Sequence, residues 1–257
     1  MQSFFAADIE SERHFGLVYF LWFSVGTSFF RKGIDAMLFV TGSISERREF
    51  VLLEALGSLS FGYLLGNFNP AAVIAALKKT NLREQGTKNL GATNVTLAFG
   101  FRRGLLVMLV DILKGFLSVK VAKMLFPRLV AAGALAGCGS VLGHVYPVFL
   151  RFRGGKGLAA FGGMILALDP LLFLILLMLG IGVILVTDYP VILTFFVAVA
   201  APWLILWRFG NGWMFCAVLL ASGLLLFKHR ENIMNLKNGT EGRLSAYIQK
   251  RKNSPEN

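Results

Sequence analysis

Charge is what this chain has least of. Only 16% of its 257 residues are Asp, Glu, Lys or Arg, against roughly 25% in an ordinary soluble domain. Apolar residues make up 56% and mean hydropathy is +0.66, and a soluble fold of this length cannot hide that much apolar surface. Cysteine is scarce too. Cys138 and Cys216 stand in separate apolar runs, without Cys-x-x-Cys or Cys/His spacing, so neither a disulfide framework nor a zinc site is expected. Acidic residues number 14 against 26 basic ones, a net charge of +12. Such an excess often marks a nucleic-acid binder. Here the charges fall in short clusters between apolar runs, so the expected partner is the anionic headgroup layer of a membrane, not nucleic acid. Near the start, Asp8, Glu10 and Glu12 outweigh Arg13, so the basic n-region of a cleavable signal is missing.

What is present is a series of apolar stretches near the 20 or so residues that cross a bilayer. They fall near 51–77, 104–126, 129–150, 158–168, 171–187, 190–207 and 212–228. The fold class expected is therefore all-α: a polytopic membrane bundle of about seven transmembrane helices plus an N-terminal extension. The fourth stretch is short and reads as half a hairpin, because Asp169-Pro170 turns tightly into the fifth. Runs such as Ala131-Ala132-Gly133-Ala134 and Gly137-Cys138-Gly139-Ser140 let helices approach closely where no hydrophobic force drives them together. Three expected parts follow: an extension over 1–50, a membrane domain over 51–241 and a basic tail over 242–257. Phe15–Phe30 is apolar but only sixteen residues long, and it is read as interfacial or as lying upstream of the working protein.

Loop charge sets the orientation. Lys78, Lys79, Arg83, Lys88, Arg102 and Arg103 follow the first span; Arg151, Arg153 and Lys156 follow the third; Lys228, Arg230, Lys237, Arg243, Lys250, Arg251 and Lys252 follow the last. Seven spans put these sixteen on one side and leave Lys120, Lys123, Arg128 and Arg208 on the other. The positive-inside rule makes the richer side cytoplasmic.

Three polar constellations lie on that face. The first loop concentrates Gly86, Thr87, Lys88, Asn89, Gly91, Thr93 and Asn94. Small hydroxyl and amide residues with glycine can turn backbone N–H groups towards an anion, although an ordinary polar turn has the same composition. The second is Arg151-Phe152-Arg153-Gly154-Gly155-Lys156-Gly157, where paired glycines permit close backbone approach to a phosphate and Lys156 supplies charge. It lacks the spacing of a Walker A loop, and a topogenic basic loop would look much the same. The third is His229-Arg230-Glu231-Asn232, in which His229 and Asn232 share a helix face at i,i+3. Within the spans, Asp111 and Lys114 can neutralise each other, and His144 suits an interhelical hydrogen bond; buried ionisable groups in lipid also invite a functional reading. The simplest joint interpretation is a site for phosphorylated substrates at the membrane surface.

From about residue 51 to 241 the chain resembles the bacterial acyl-phosphate:glycerol-3-phosphate acyltransferases. The resemblance rests on Gly57-Ser58-Leu59-Ser60-Phe61-Gly62-Tyr63-Leu64-Leu65-Gly66 and Asn89-Leu90-Gly91-Ala92-Thr93-Asn94-Val95. It continues through Asp111-Ile112-Leu113-Lys114-Gly115, Gly143-His144-Val145-Tyr146-Pro147 and Gly154-Gly155-Lys156-Gly157, and ends with His229-Arg230-Glu231-Asn232-Ile233 and Gly239-Thr240-Glu241. It implies a seven-helix enzyme of the bacterial cytoplasmic membrane that moves an acyl group from acyl phosphate to position 1 of glycerol 3-phosphate, without metal, cofactor or acyl-CoA. Carried over by position, Lys156, His229 and Asn232 are the catalytic set. Thr87, Lys88, Asn89, Gly91, Thr93, Asn94, Gly154, Gly155 and Gly157 surround the substrates and their phosphates.

The chain departs from the family's pattern in places. Lys88 stands where the family has a glycine, and a lysine there is expected to resist a positive φ. Leu97 replaces a phosphate-binding Arg. Asp188-Tyr189-Pro190-Val191 replaces Arg-Tyr-Val-Ser, losing both the Arg and the substrate-binding Ser. Lys88, Arg102 or Arg103 are candidates to compensate. These departures keep two other readings open: a paralogue that acylates another acceptor, and a non-catalytic lipid-binding or transport protein. The second predicts internal repeats or broken helices in matching halves, and the sequence has no convincing repeat.

Overall fold

The computed structural model describes residues 44–252, so the reading of Phe15–Phe30 lies outside the described residues. The chain divides into two units, 1–52 and 53–257. Of the first, the described residues 44–52 are helical. Every contact discussed below lies within the second.

All seven expected spans are helical. Helix α1 runs Ile44–Gly66 and is followed by a short α2, Pro70–Leu77. Next come α3, Ala92–Phe99, and α4, Phe101–Leu125. After these are α5, Ala132–Val145, a 3-10 turn Val148–Leu150, and α6, Leu158–Leu168. The remainder are α7, Pro170–Thr187; α8, Val191–Phe209; α9, Gly212–Lys228; α10, Arg230–Lys237; and α11, Leu244–Lys252. Among the described residues, four segments are long and apolar enough to cross a membrane: Arg48–Leu77, Ala132–Leu150, Pro170–Thr187 and Val191–Phe209. The pair α9–α10, bent by 49°, makes a fifth if counted as one. The count of seven is thus approximate. Helix α4 is long enough at 25 residues but carries Asp111, Lys114, Lys120 and Lys123, and α6 has only 11 residues.

The expected first span is not continuous. Asn67, Phe68 and Asn69 break it, and Pro70 opens α2 at a position that needs no N–H. Asn69 caps α2 by accepting from Ala72 N at 2.9 Å. Asn67 donates to Tyr63 O and accepts from Val148 N at 2.7 Å, which ties the break to the turn after α5. The carbonyls that the break frees are met by Lys114 of α4. Its Nζ donates to Phe68 O at 2.8 Å and lies 3.2 Å from Gly66 O.

Glycine sets the closest helix contacts. A side chain on Gly62 or Gly66 of α1 would overlap the carbonyl of Ala136 or Ser140 in α5. One on Gly139 or Gly143 of α5 would overlap the carbonyl of Leu59 or Tyr63. Gly115 of α4 and Gly163 of α6 press in the same way on the carbonyls of Ala160 and Ile112. The main core, with Val141, Phe161, Met164, Ala201, Val218 and Leu225, lies among α5 to α9. A smaller cluster of Ala71, Leu82, Leu90, Val95 and Val107 seats the loop between α2 and α3.

Candidate active site

The loop over residues 78–91 is folded around one side chain. Asn94 is 1% exposed. It accepts from Thr87 N at 2.9 Å and donates to Leu82 O at 2.7 Å and Asn89 O at 3.0 Å. Its amide is used up in holding the loop. Lys88 sits at φ +54°, contrary to the expectation that lysine resists this conformation. An isolated left-handed residue costs roughly 1–2 kcal/mol, which the three Asn94 bonds on either side offset. Arg83 then fastens this loop to the next by donating to Arg153 O at 2.7 Å and Leu150 O at 3.3 Å.

The Gly154-Gly155 pair differs from expectation in a similar way. Its N–H groups do not face an anion: Gly154 N donates to Val145 O and Gly155 N to His144 O, both at 3.1 Å. Side chains there would strike the His144 carbonyl, Pro147 and the His144 ring. The glycines are small so that the loop can lie against the end of α5. That contact carries Lys156 and Gly157 to the start of α6.

These loops border a cavity of about 320 Å³. At one end it is polar, lined by Asn89, Gly91, Thr93, Asp111, His144, Lys156 and His229; further in it is lined by Phe161, Ile165, Phe173, Leu176, Leu177, Leu193 and Val197. Two helices begin on it. Gly91, Ala92 and Thr93 open α3, Gly157, Leu158 and Ala159 open α6, and neither start has a side-chain cap. Their first-turn N–H groups and the positive ends of both helix dipoles are therefore left to an anion.

Lys156 is half-buried, and its Nζ donates to Asn232 Oδ1 at 2.5 Å, while Asn232 Nδ2 donates to Glu241 Oε1 at 2.8 Å. Desolvation pulls the Lys156 ammonium below the ordinary lysine value, with Glu241 and Glu231 acting against it. His229 is 6% exposed and stacks edge-on against Phe195. Burial lowers its pKa to about 4 despite the bond to Leu225 O, and the charge of Lys156 adds to the lowering. The imidazole is therefore neutral at pH 7. Because its Nδ1 lies 2.8 Å from Leu225 O, an acceptor only, Nδ1 holds the proton and Nε2 has a free lone pair.

Of the residues expected at the site, Asn89, Gly91, Thr93, Lys156, Gly157 and His229 line the cavity, and Asn232 adjoins it through Lys156. Thr87, Lys88, Asn94, Gly154 and Gly155 shape the loops and do not line it. Neither Leu97 nor Val191 faces it, nor does Arg102 or Arg103. Sequence reasoning read Asp111 as a pair with Lys114 and His144 as an interhelical hydrogen bond, with a functional role left open, and both line its polar end. Their spacing could only suggest an internal pair, because the third partner joins from another helix.

A family model described as "Glycerol-3-phosphate acyltransferase" matches residues 56–239, more than half of the chain. The chain belongs to the glycerol-3-phosphate acyltransferase family. Among curated members, that of Aquifex aeolicus is 39% identical over 195 residues, covering 74% of this chain and all of the relative. That of Deinococcus radiodurans, named glycerol-3-phosphate acyltransferase 1, is 41% identical over 196 residues, covering 76% and 98%. The crystal structure of PlsY, an integral membrane glycerol 3-phosphate acyltransferase in its glycerol 3-phosphate form, superposes with TM-score 0.69 at 36% identity, over 74% of this chain and 94% of that one. The lysophosphatidic acid form of PlsY gives 0.67 at 35%. The family match ends at Gly239, so Glu241 and helix α11 lie past it.

Proposed function

We propose that the protein transfers a fatty acyl group from an acyl phosphate to the 1-hydroxyl of glycerol 3-phosphate, on the cytoplasmic face of a bacterial inner membrane. The observation that carries this reading is the cavity itself: two uncapped helix N-termini and Lys156 at one end, an apolar wall from α6, α7 and α8 at the other. An acyl phosphate has that same division into anionic head and apolar tail. Family membership and the two ligand forms of PlsY support the acceptor and the product.

In the reaction the hydroxyl oxygen attacks the acyl carbon, the carbon–oxygen bond to phosphate breaks, and the hydroxyl proton leaves on the departing inorganic phosphate. Lysophosphatidate and phosphate are the products. Lys156 and the first-turn N–H groups of α3 and α6 hold phosphate oxygens and stabilise the developing oxyanion, while the cavity aligns the two reactants. Asn232 keeps Lys156 aimed, and the free Nε2 of neutral His229 accepts from a substrate hydroxyl or a protonated phosphate.

The test is acyl transfer by purified protein in lipid, with radiolabelled glycerol 3-phosphate and either palmitoyl phosphate or palmitoyl-CoA. Lysophosphatidate is expected from the acyl phosphate alone, and Lys156→Ala is expected to abolish it. Full activity in Lys156→Ala would remove the assigned site. Turnover confined to some other hydroxyl compound would favour an altered acceptor. Lipid or anion movement across vesicles without a covalent product would favour transport.

A further inference from the structure

The polar end of the cavity contains one group that does not suit a phosphate. Asp111 of α4 is the sole carboxylate among its lining residues, and a carboxylate repels a phosphate and accepts hydrogen bonds only. It is 2% exposed, so no bulk water serves it. Its charge is balanced in place. Lys114 Nζ lies 2.8 Å from Asp111 Oδ1 and 2.7 Å from His144 Nδ1, and is itself pinned to the carbonyls of the α1–α2 break. His144 Nδ1 in turn lies 3.3 Å from Asp111 Oδ1, and the ring rests against Gly155, the neighbour of Lys156. Asp111 is thus fixed on the same cavity as Lys156, as an ion pair with little net charge.

Resting on the proposed acceptor, we infer that Asp111 is a specificity-determining residue that accepts a hydrogen bond from the 2-hydroxyl of glycerol 3-phosphate. The other lining side chains at this end include donors suited to the phosphate: Lys156, Asn89 and Thr93. The acceptor's remaining feature is a hydroxyl, whose O–H needs a lone pair; with Nε2 of His229 given to the reacting hydroxyl or a protonated phosphate, the carboxylate oxygens of Asp111 are left to supply it. A carboxylate already paired with a lysine at 2.8 Å keeps lone pairs with which to accept a hydrogen bond, so it suits the hydroxyl that keeps its proton, whereas the reacting hydroxyl gives its proton to the departing phosphate. A site that binds a substrate hydroxyl discriminates strongly against the analogue without it, because its own buried group is then left unpaired.

The comparison substrate is the phosphate monoester of propane-1,3-diol, which keeps the reacting hydroxyl and lacks the other. Wild-type protein is expected to show kcat/KM at least tenfold higher for glycerol 3-phosphate than for this analogue, with KM for palmitoyl phosphate as a control. In Asp111→Asn, whose amide keeps the volume, the gap is expected to shrink to about threefold or less, with KM for palmitoyl phosphate little changed. Asp111→Glu, retaining a carboxylate, should restore part of the gap. Equal losses on both substrates in Asp111→Asn, or a gap as wide as in the wild type, would overturn the inference. Should both variants fail to fold, the wild type still decides: equal kcat/KM for the two substrates overturns it. No transfer to glycerol 3-phosphate by folded wild-type protein would defeat the proposed function instead, a separate outcome.

Discussion

Asn232 is held by both atoms of its amide, and this fixes what Lys156 can do. Nδ2 donates to Glu241, so Oδ1 must face Lys156, and the lysine keeps two of its three N–H groups for a ligand. His229 acts through protonation. Its folded pKa of about 4 lies below the ordinary 6.5, so between these values the folded protein binds fewer protons than the unfolded chain. Its contribution to stability is therefore complete above pH 6.5 and is lost as pH falls towards 4, up to about 3 kcal/mol. His229→Asn, which keeps a donor near Nδ1 but does not titrate, should flatten this part of the acid limb when unfolding is followed from pH 7 to pH 4.5. An acid limb identical to that of the wild type would mean that His229 binds its proton equally well in the folded and unfolded chain. Residue chemistry was partly legible in the sequence. Lys156 and His229 stand out because lysine and histidine beside glycine and helix ends are rare in so apolar a chain. The inward role of Asn94 was not legible, since an asparagine in a polar loop looks the same whether it binds a ligand or the loop's own backbone.

At the scale of elements, hydropathy located the helices well and their interruptions badly. Residues 51–77 read as one run because Asn67 and Asn69 are too few to lower its average, yet their side chains satisfy the backbone that the break exposes. Lys114 looked like one half of a local pair; three-dimensionally it also closes that break. Glycine spacing was the better signal. Gly62 and Gly66 on α1, and Gly139 and Gly143 on α5, each lie four residues apart and put two helix backbones in contact. Gly62→Leu is expected to force these helices apart at a cost of about 1–3 kcal/mol, typical of overpacking. At Gly182, where nothing lies within 4 Å, the same change should be nearly neutral. Melting temperatures in detergent would compare the two, and equal shifts would show that α1 and α5 are not tightly seated.

For the molecule as a whole, the segment past the family match is tied to the site by a position that the sequence presents as a loss. Asp188, where the family has an Arg, ends α7 at φ +63°. Its carboxylate accepts from Ser245 N at 2.9 Å and Ser245 Oγ at 2.6 Å, and its carbonyl accepts from Leu244 N at 2.8 Å. The first turn of α11 is thereby capped from another helix, and Arg243 lies over the Tyr189 ring. Glu241, which orients Asn232, stands three residues before Leu244, so the clip also limits where Glu241 can sit. The hydrogen bonds from Ser245 hold the Asp188 carboxyl below the usual carboxylate range. The clip is therefore intact above the ordinary value of 3.8 and is lost as pH falls through the depressed one. Asp188→Ala removes both carboxylate bonds and leaves the site residues untouched. Trypsin should then cut at Arg243 faster in the variant than in the wild type, with kcat/KM for acyl transfer falling through looser placement of Glu241. In sealed vesicles, cleavage is expected only from the face that the proposed orientation makes cytoplasmic. Equal cleavage rates for variant and wild type would show that Asp188 does not hold α11. Cleavage from the opposite face would reverse the orientation, and with it the side on which the cavity meets its substrates.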